Sequence, residues 1–438
     1  MWSISFWLNV ALVLAAVGIL IATLARLRIA LSTILALQLF PALIGAILLY
    51  RSGVVPFRTG AVYIAGVAAF VIGLWIANKF RRQRHSPAPN DAELELQNNS
   101  VTLLTNAAVW TVVIFASSLS LYHLAVGGIP ILSTNVERAR FDFTSSGLFG
   151  LPGRMYLYGT KISWILATVW AAHRQIRLRK SGPWVVATTI LIATTLASGF
   201  KGQALSTFVL MLAVTSFIST RRITFAGAFG RYWPAVAAGL FYFGLTANTY
   251  ATYSNGSDGI ATRAIERATV TAAEPPAIAI SFGSQVSPWL NDLQYYAERY
   301  FSIGNSPGYS FERAVSASII GANPLRAEYL TPVNVGALAE FVASLGVVVG
   351  LAAYGSLAFS LVRLEQANFA SPIAATIACI ASYMGYTFVL KGGLIYQIIN
   401  WALVAALLLA VGSIARLLLG PEPGTFGARL ASAQRFNT

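Results

Sequence analysis

Long apolar runs separated by short polar connections dominate this chain of 438 residues. Most runs are about 17–25 residues long, the length that a helix needs to cross a bilayer, and none shows the ten-residue alternation of a barrel strand. The pattern therefore predicts an all-α integral membrane protein, a polytopic helical bundle of about eleven transmembrane helices. The predicted spans are residues 4–25, 29–50, 60–78, 102–125, 156–172, 183–199, 203–219, 232–250, 334–360, 372–390 and 394–416.

One long segment, residues 251–333, interrupts this pattern because it is too polar to span a bilayer. It mixes arginines and carboxylates with many aromatic residues, whereas a linker is poor in aromatic residues. We therefore predict that it folds as a cap on the outer face of the membrane. The chain is then divided into helices 1–8 with a short outer loop at 126–155 (residues 1–250), the cap, and helices 9–11 with a cytoplasmic tail (residues 334–438).

The cations are distributed unevenly between the two faces of this predicted bundle. More than half of the 30 Lys and Arg residues lie beside helix ends on one face, as at Arg81–Arg84, Arg174–Lys180 and Arg221–Arg222. Because Lys and Arg are enriched in cytoplasmic connections, we expect this face to be cytoplasmic, with the amino terminus outside and the carboxyl terminus inside. The first apolar run lacks a basic leader and a clear cleavage site, so we expect it to remain as a helix.

Composition and motifs exclude several classes of function. With 56% hydrophobic and 10% charged residues, the net charge of +15 reflects cations that flank helices, so nucleic acid is not an expected partner. The single Cys379 can build neither a disulfide framework nor a thiolate metal site. The predicted outer face carries no Asp-x-Asp pair, and the sequence has no HExxH, P-loop or GxSxG motif. We therefore expect neither a metal nor a cofactor.

The outer face instead carries cations and aromatic residues, which collect in the 126–155 loop and in the cap. Lys201 and Lys391 lie at the tips of two tight hairpins and thus at the outer membrane boundary, where ordinary snorkelling to lipid headgroups is the alternative explanation. Guanidinium groups hold phosphate oxygens bidentately and stay charged, so they stabilise a diphosphate leaving group without a metal. Aromatic faces stack on sugar rings, and together these features favour a lipid-diphosphate-linked glycan donor.

Three segments resemble the Wzy-type oligosaccharide repeat-unit polymerases of bacterial O-antigen and exopolysaccharide assembly, a family related in plan to the O-antigen ligases. They are GIPILSTNVERARF, LASGFKGQALSTFVLML and NVGALAEFVASLGVVVGLAAYG, in that order along the chain. The resemblance implies a GT-C-like fold in the bacterial inner membrane and a metal-independent glycosyltransferase. The enzyme would polymerise undecaprenyl-diphosphate-linked repeat units at the periplasmic face. The implied partners are the lipid-linked oligosaccharide, membrane lipids, a chain-length regulator and a flippase.

The resemblance also implies roles for individual residues. Arg138, Lys201 and Arg326 would hold the donor diphosphate, and Glu340, at the outer end of the ninth span, would be the base for the acceptor hydroxyl. A cap carboxylate is an alternative base, and loss of the proton without a dedicated base is another possibility. The predicted substrate-binding residues are Arg140, Asp142 (also an alternative base), Arg154, Arg263, Arg267, Arg313 (an alternative to Arg326) and Lys391.

Other classes of function stay open beside the polymerase. An O-antigen ligase would use the same donor and the same diphosphate site, but its acceptor would be lipid A-core. A lipid-linked oligosaccharide flippase or other transporter needs a continuous hydrophilic path, whereas the cytoplasmic halves of the predicted spans contain almost no charge. A scaffold subunit would leave the outer arginines without a role.

Overall fold

The computed structural model describes residues 30–80, 105–133, 139, 151–199, 201–218, 224, 227, 269–281, 288–301, 310–321, 333–367 and 371–419. These residues are predominantly helical and contain no strand. The α-helices are α1 (Leu31–Arg51), α2 (Phe57–Lys79), α3 (Asn106–Gly127), α4 (Leu151–Arg154), α5 (Thr160–His173), α6 (Gly182–Ala197), α7 (Lys201–Ile218), α8 (Val270–Ser281), α9 (Pro288–Phe301), α10 (Phe311–Ile319), α11 (Gly336–Leu345), α12 (Val347–Gln366), α13 (Pro372–Lys391) and α14 (Leu394–Leu419). A 3-10 turn, Pro130–Leu132, follows α3, and a π-helical segment, Met155–Gly159, joins α4 to α5.

Six helices of the described chain, α1, α2, α3, α12, α13 and α14, are long and apolar enough to cross a membrane. Helices α6, α7 and α11 are apolar but shorter. The structure thus confirms the coarse prediction of a multi-pass helical membrane protein, with fewer full-length spans among the described residues than the eleven predicted. Two of the predicted spans, 4–25 and 232–250, lie outside the described residues.

The ninth predicted span, residues 334–360, is wrong as a single helix. Gly346 has a φ of +78°, so the backbone leaves the helix there, and α11 and α12 are separate helices. Glycine adopts this backbone conformation at no steric cost because it has no Cβ. Hydropathy stays high on both sides of Gly346, which explains why an apolar pattern alone predicts one continuous span.

Helix α2 packs in parallel against α11 and α12, and small residues allow the close approach. A Cβ on Gly73 would overlap the carbonyl oxygen of Gly355, and one on Gly66 would overlap Leu338. Where α2 and α12 end, the Nε2 of Gln366 donates a hydrogen bond to the Oδ1 of Asn78 at 3.1 Å. The beginnings of α2 and α11 therefore lie toward one end of the bundle, and the carboxyl ends of α2 and α12 lie at the other.

Contacts of α1 and α13 show which of their ends lies at each end of the bundle. At the end where α12 finishes, the backbone N–H of Ser32, at the start of α1, donates to the Oε1 of Glu365 at 3.0 Å. At the other end, a Cβ on Gly336 would lie 3.3 Å from the carbonyl oxygen of Val389, near the finish of α13. We call this second side, where α11 and α14 begin and α13 ends, the cluster end, and the first side the opposite end.

Three helices, α8, α9 and α10, come from the segment predicted to be a cap. Helix α8 packs against α1, α2 and α11, and its small residues Ala273, Ala277 and Ala279 are buried. A Cβ on Gly45 of α1 would overlap the carbonyl oxygen of Thr269, just before α8. The first described helix of this segment is therefore part of the bundle, and α9 and α10 follow it at the cluster end.

Candidate functional site

Three carboxylates from three separate helices meet at the cluster end. They are Asp292 on α9, Glu312 on α10 and Glu340 on α11, and we call them the acidic cluster. The three groups are close enough for their charges to influence one another, because both Asp292 and Glu340 act on Glu312. Carboxylates that share a buried site disfavour one another's ionised form.

Glu340 is 1% exposed and is held by three donors. Its oxygens accept hydrogen bonds from the backbone N–H of Gly393, from that of Leu394 at 3.2 Å, and from the Nε1 of Trp289 at 3.3 Å. Leu394 begins α14, so the carboxylate lies at a helix amino terminus, where unsatisfied N–H groups and the helix dipole favour negative charge. Glu340 therefore fixes the start of α14 against α11 and α9.

Asp292 is 2% exposed and joins α9 to α10. Its Oδ1 accepts the backbone N–H of Phe311, the first residue of α10, at 2.7 Å, and the Nδ2 of Asn291 at 3.4 Å. Burial raises the pKa of Asp292 to about 6, although both hydrogen bonds act in the opposite direction. Asp292 is thus a structural carboxylate that orders α10, and with it the neighbouring Glu312.

Glu312 differs from the other two because its carboxyl group accepts no hydrogen bond from any residue that the structure describes. Its Oε1 lies 2.9 Å from the position that a Cβ on Gly393 would occupy, so it faces the α13–α14 turn. Loss of hydration raises the pKa of Glu312 well above its usual value, and the other two carboxylates raise it further, while Lys391 and Arg313 lower it. The side chain is only half-buried, so this carboxyl group can exchange a proton with a ligand.

Two lysines lie near one another at the cluster end. Lys391, the last residue of α13, is half-buried and interacts electrostatically with Glu312. Lys161, on α5, is 8% exposed and lies near enough to Lys391 for the two positive charges to repel. Lys161 is not among the site residues predicted from the sequence, although a lysine within an apolar run is itself a sign of function in a membrane protein.

Four tyrosines form a row beside the cluster. The rings of Tyr295 and Tyr296 on α9 are 5.0 Å apart, and Tyr296 lies 5.6 Å from Tyr396 on α14. The hydroxyl of Tyr158 donates to that of Tyr396 at 3.2 Å. Arg313 is fixed at one end of this tyrosine row, because its NH1 donates to the Tyr295 hydroxyl at 3.1 Å. A Cβ on the neighbouring Gly393 would lie 3.6 Å from that of Tyr396, so the row passes next to Glu312.

The structure brings together Glu340, Lys391 and Arg313 of the residues predicted from sequence, all three around Glu312. Arg154, on α4, is not part of this group; its Nε donates a hydrogen bond to the Oδ1 of Asn400 on α14 at 2.7 Å. Lys201 is the first residue of α7, and its side chain is outside the described atoms. The predicted residues outside the described part of the chain are Arg138, Arg140, Asp142, Arg263, Arg267 and Arg326.

No protein-family model matches the chain, and no curated protein or solved structure is significantly similar to it. Among the described residues, no group of three or more His, Cys, Asp or Glu side chains has an arrangement that could hold a metal ion. Fold and site together define a multi-pass helical membrane protein with a cluster of carboxylates and lysines at one end of its bundle.

Proposed function

We propose that the protein is a membrane glycosyltransferase that polymerises undecaprenyl-diphosphate-linked oligosaccharide repeat units. The observation that carries this proposal is Glu312, a half-buried carboxyl group that accepts no hydrogen bond from the described residues and lies beside Lys391 and a row of tyrosines at one end of a membrane bundle. The resemblance of three sequence segments to the Wzy-type polymerases supports the same function. The cluster end would then be periplasmic, in the inner membrane of a bacterium.

In this reaction the acceptor hydroxyl oxygen attacks the anomeric carbon of the donor glycan. A new glycosidic C–O bond forms, the C–O bond to the diphosphate breaks, and the lipid diphosphate leaves with the electron pair. Glu312 accepts the hydroxyl proton, because its carboxyl group accepts no hydrogen bond from the described residues and its raised pKa makes the carboxylate a stronger base. This assignment differs from the Glu340 predicted from sequence, since both oxygens of Glu340 already accept hydrogen bonds.

Glu340 has a positioning role in this proposal and does not take part in the proton transfer. It holds the turn between α13 and α14, and that turn faces Glu312. The tyrosine row offers phenol rings and hydroxyl groups along the path from Arg313, which suits stacking and hydrogen bonding with sugars. Arg138, Lys201 and Arg326 remain proposed contacts to the donor diphosphate on the strength of the resemblance.

The test is a reaction of the purified protein with one lipid-diphosphate-linked repeat unit, without nucleotide and with EDTA. Because donor and acceptor are the same species, a polymerase makes a ladder of longer lipid-linked glycans and releases one lipid diphosphate per bond. Glu312→Gln should slow the ladder by about 10²–10⁴-fold, the typical contribution of a general base. Glu298→Gln on the exposed side of α9 is the matched control and should leave the rate unchanged. No ladder from folded protein, or a Glu312→Gln protein with full activity, refutes the proposal.

A transporter is the second candidate, because one observation favours it specifically. Buried polar side chains follow one another along α13, at Ser382, Tyr383, Tyr386 and Thr387, between the two ends of the bundle. A cavity of about 380 Å³ opens at the opposite end, next to Ser382 and Glu365. A flippase would move the lipid-linked unit across a liposome without changing its length. An O-antigen ligase would make no product in the same tube until lipid A-core is added.

A further inference from the structure

Lys161 is a buried cation without a counter-charge in the part of the chain that the structure describes. Only 8% of its surface is exposed, and its side chain makes no hydrogen bond or ion pair with any described residue. The charged side chain that acts on it is another cation, Lys391. A buried lysine is costly unless it is paired, so a second group is expected to complete this site.

The protein supplies a partner for only one of the two lysines. Glu312 attracts Lys391, but no carboxylate among the described residues pairs with Lys161. Glu340 and Asp292 are occupied with the amino termini of α14 and α10. Lys161 is therefore left without a carboxylate partner among the described residues, in a place where α5 packs against α13.

We propose that Lys161 and Lys391 bind the diphosphate of the lipid-linked donor, which supplies the missing negative charge. This inference rests on the proposed function and adds a residue to it that sequence analysis did not find. Lysine binds phosphate as a compact point charge, without the fork geometry that arginine needs. The site lies where the span α13 ends, at the level where the phosphates of a membrane-anchored lipid lie, and it places the leaving group next to Glu312.

The test measures binding separately from turnover, with the full-length protein in nanodiscs of zwitterionic lipid. The probes are undecaprenyl diphosphate, undecaprenol and inorganic diphosphate, and the readout is the dissociation constant of each. Lys161→Met and Lys391→Met should each raise the dissociation constant of undecaprenyl diphosphate at least about tenfold, which corresponds to about 1.4 kcal/mol of binding free energy. Lys79→Met, at the exposed opposite end of α2, removes the same charge and should change nothing.

The substitution Lys161→Met separates a ligand site from a merely structural lysine. Replacing a buried unpaired charge by an apolar side chain of similar size should keep or raise the melting temperature, so a loss of binding is not a loss of folding. Binding of undecaprenyl diphosphate that is unchanged in both lysine variants overturns the inference. Inorganic diphosphate that binds as tightly as the lipid overturns the assignment to a membrane-anchored donor.

Failure of the lysine site and failure of the proposed polymerase function give different results. If undecaprenyl diphosphate binds through both lysines but no ladder forms, the lysine site stands and the polymerase proposal fails. If a ladder forms at the wild-type rate with Lys161→Met, the polymerase stands and the lysine site fails.

Discussion

Gly392, in the turn between α13 and α14, offers a sharp test of how the cluster end is built. Its φ of +79° and ψ of −155° belong to a region that only glycine occupies readily, and any side chain there costs about 1–3 kcal/mol. A Cβ on Gly392 would also lie 2.5 Å from the Oε1 of Glu340 and 3.0 Å from the backbone N of Gly336. Gly392→Ala should therefore displace Glu340 in addition to straining the backbone.

The chain contains a matched control for this strain. Gly346 has nearly the same backbone conformation, with a φ of +78° and a ψ of 170°, but a Cβ there would meet nothing within 4 Å. In Gly346→Ala, only the added backbone strain should lower the free energy of unfolding. Gly392→Ala should lower it by a further ~1.5–3 kcal/mol, because a buried carboxylate loses hydrogen bonds from Gly393 and Leu394.

The assay is an unfolding titration with SDS in mixed micelles, with ladder formation measured on the same preparations. Adding Glu340→Ala to each glycine variant completes a double-mutant cycle, in which most of the extra cost of Gly392→Ala should disappear. Gly346→Ala should keep its activity, whereas Gly392→Ala should lose most of it. Equal losses of stability in the two glycine variants would refute the argument that Glu340 depends on this turn.

Two further predictions concern pH and topology. The pKa of Asp292 is raised from 3.8 to about 6, so the folded state holds its proton more tightly than the unfolded state does. As pH rises from about 3 to about 7, loss of this proton should lower the free energy of unfolding by roughly 3 kcal/mol, of which roughly 2 kcal/mol falls between pH 4 and pH 6. Asp292→Asn should flatten that pH dependence in SDS titrations, and an unchanged slope would contradict it. In a Cys379→Ser background, Ser52→Cys at the cluster end should react with an impermeant thiol reagent in whole cells and Lys180→Cys at the opposite end should not; the reverse pattern would refute a periplasmic cluster end.

The sequence predicts α13 and α14 well because hydropathy averages over many residues. Helices α13 and α14 begin and end within a few residues of the predicted spans. The break at Gly346 escapes the same method, because a single backbone angle does not change the average hydropathy of the window. Local conformation at a glycine becomes visible only once the neighbouring helices are placed.

The candidate site is predicted in part, for a related reason. Lys391 and Glu340 stand out in the sequence because they lie at the ends of apolar runs. Lys161 is hidden within a run, and Glu312 is one of several carboxylates in a polar segment. What distinguishes Glu312 is the absence of a hydrogen bond among the described residues, and that depends on how α9, α10 and α11 meet in space.

The π-helical segment Met155–Gly159 sets the rotational phase between the two parts of the helix that carries Lys161. In an uninterrupted α-helix, residues seven apart, such as Arg154 and Lys161, would lie on nearly the same face. The wider turn takes up about one extra residue and rotates one part relative to the other by roughly 100°. This offset lets Arg154 reach Asn400 on α14 while Lys161 lies beside Lys391 on α13. A one-residue deletion in this segment would therefore turn one of the two cations away from its neighbour while leaving every side chain of the cluster intact.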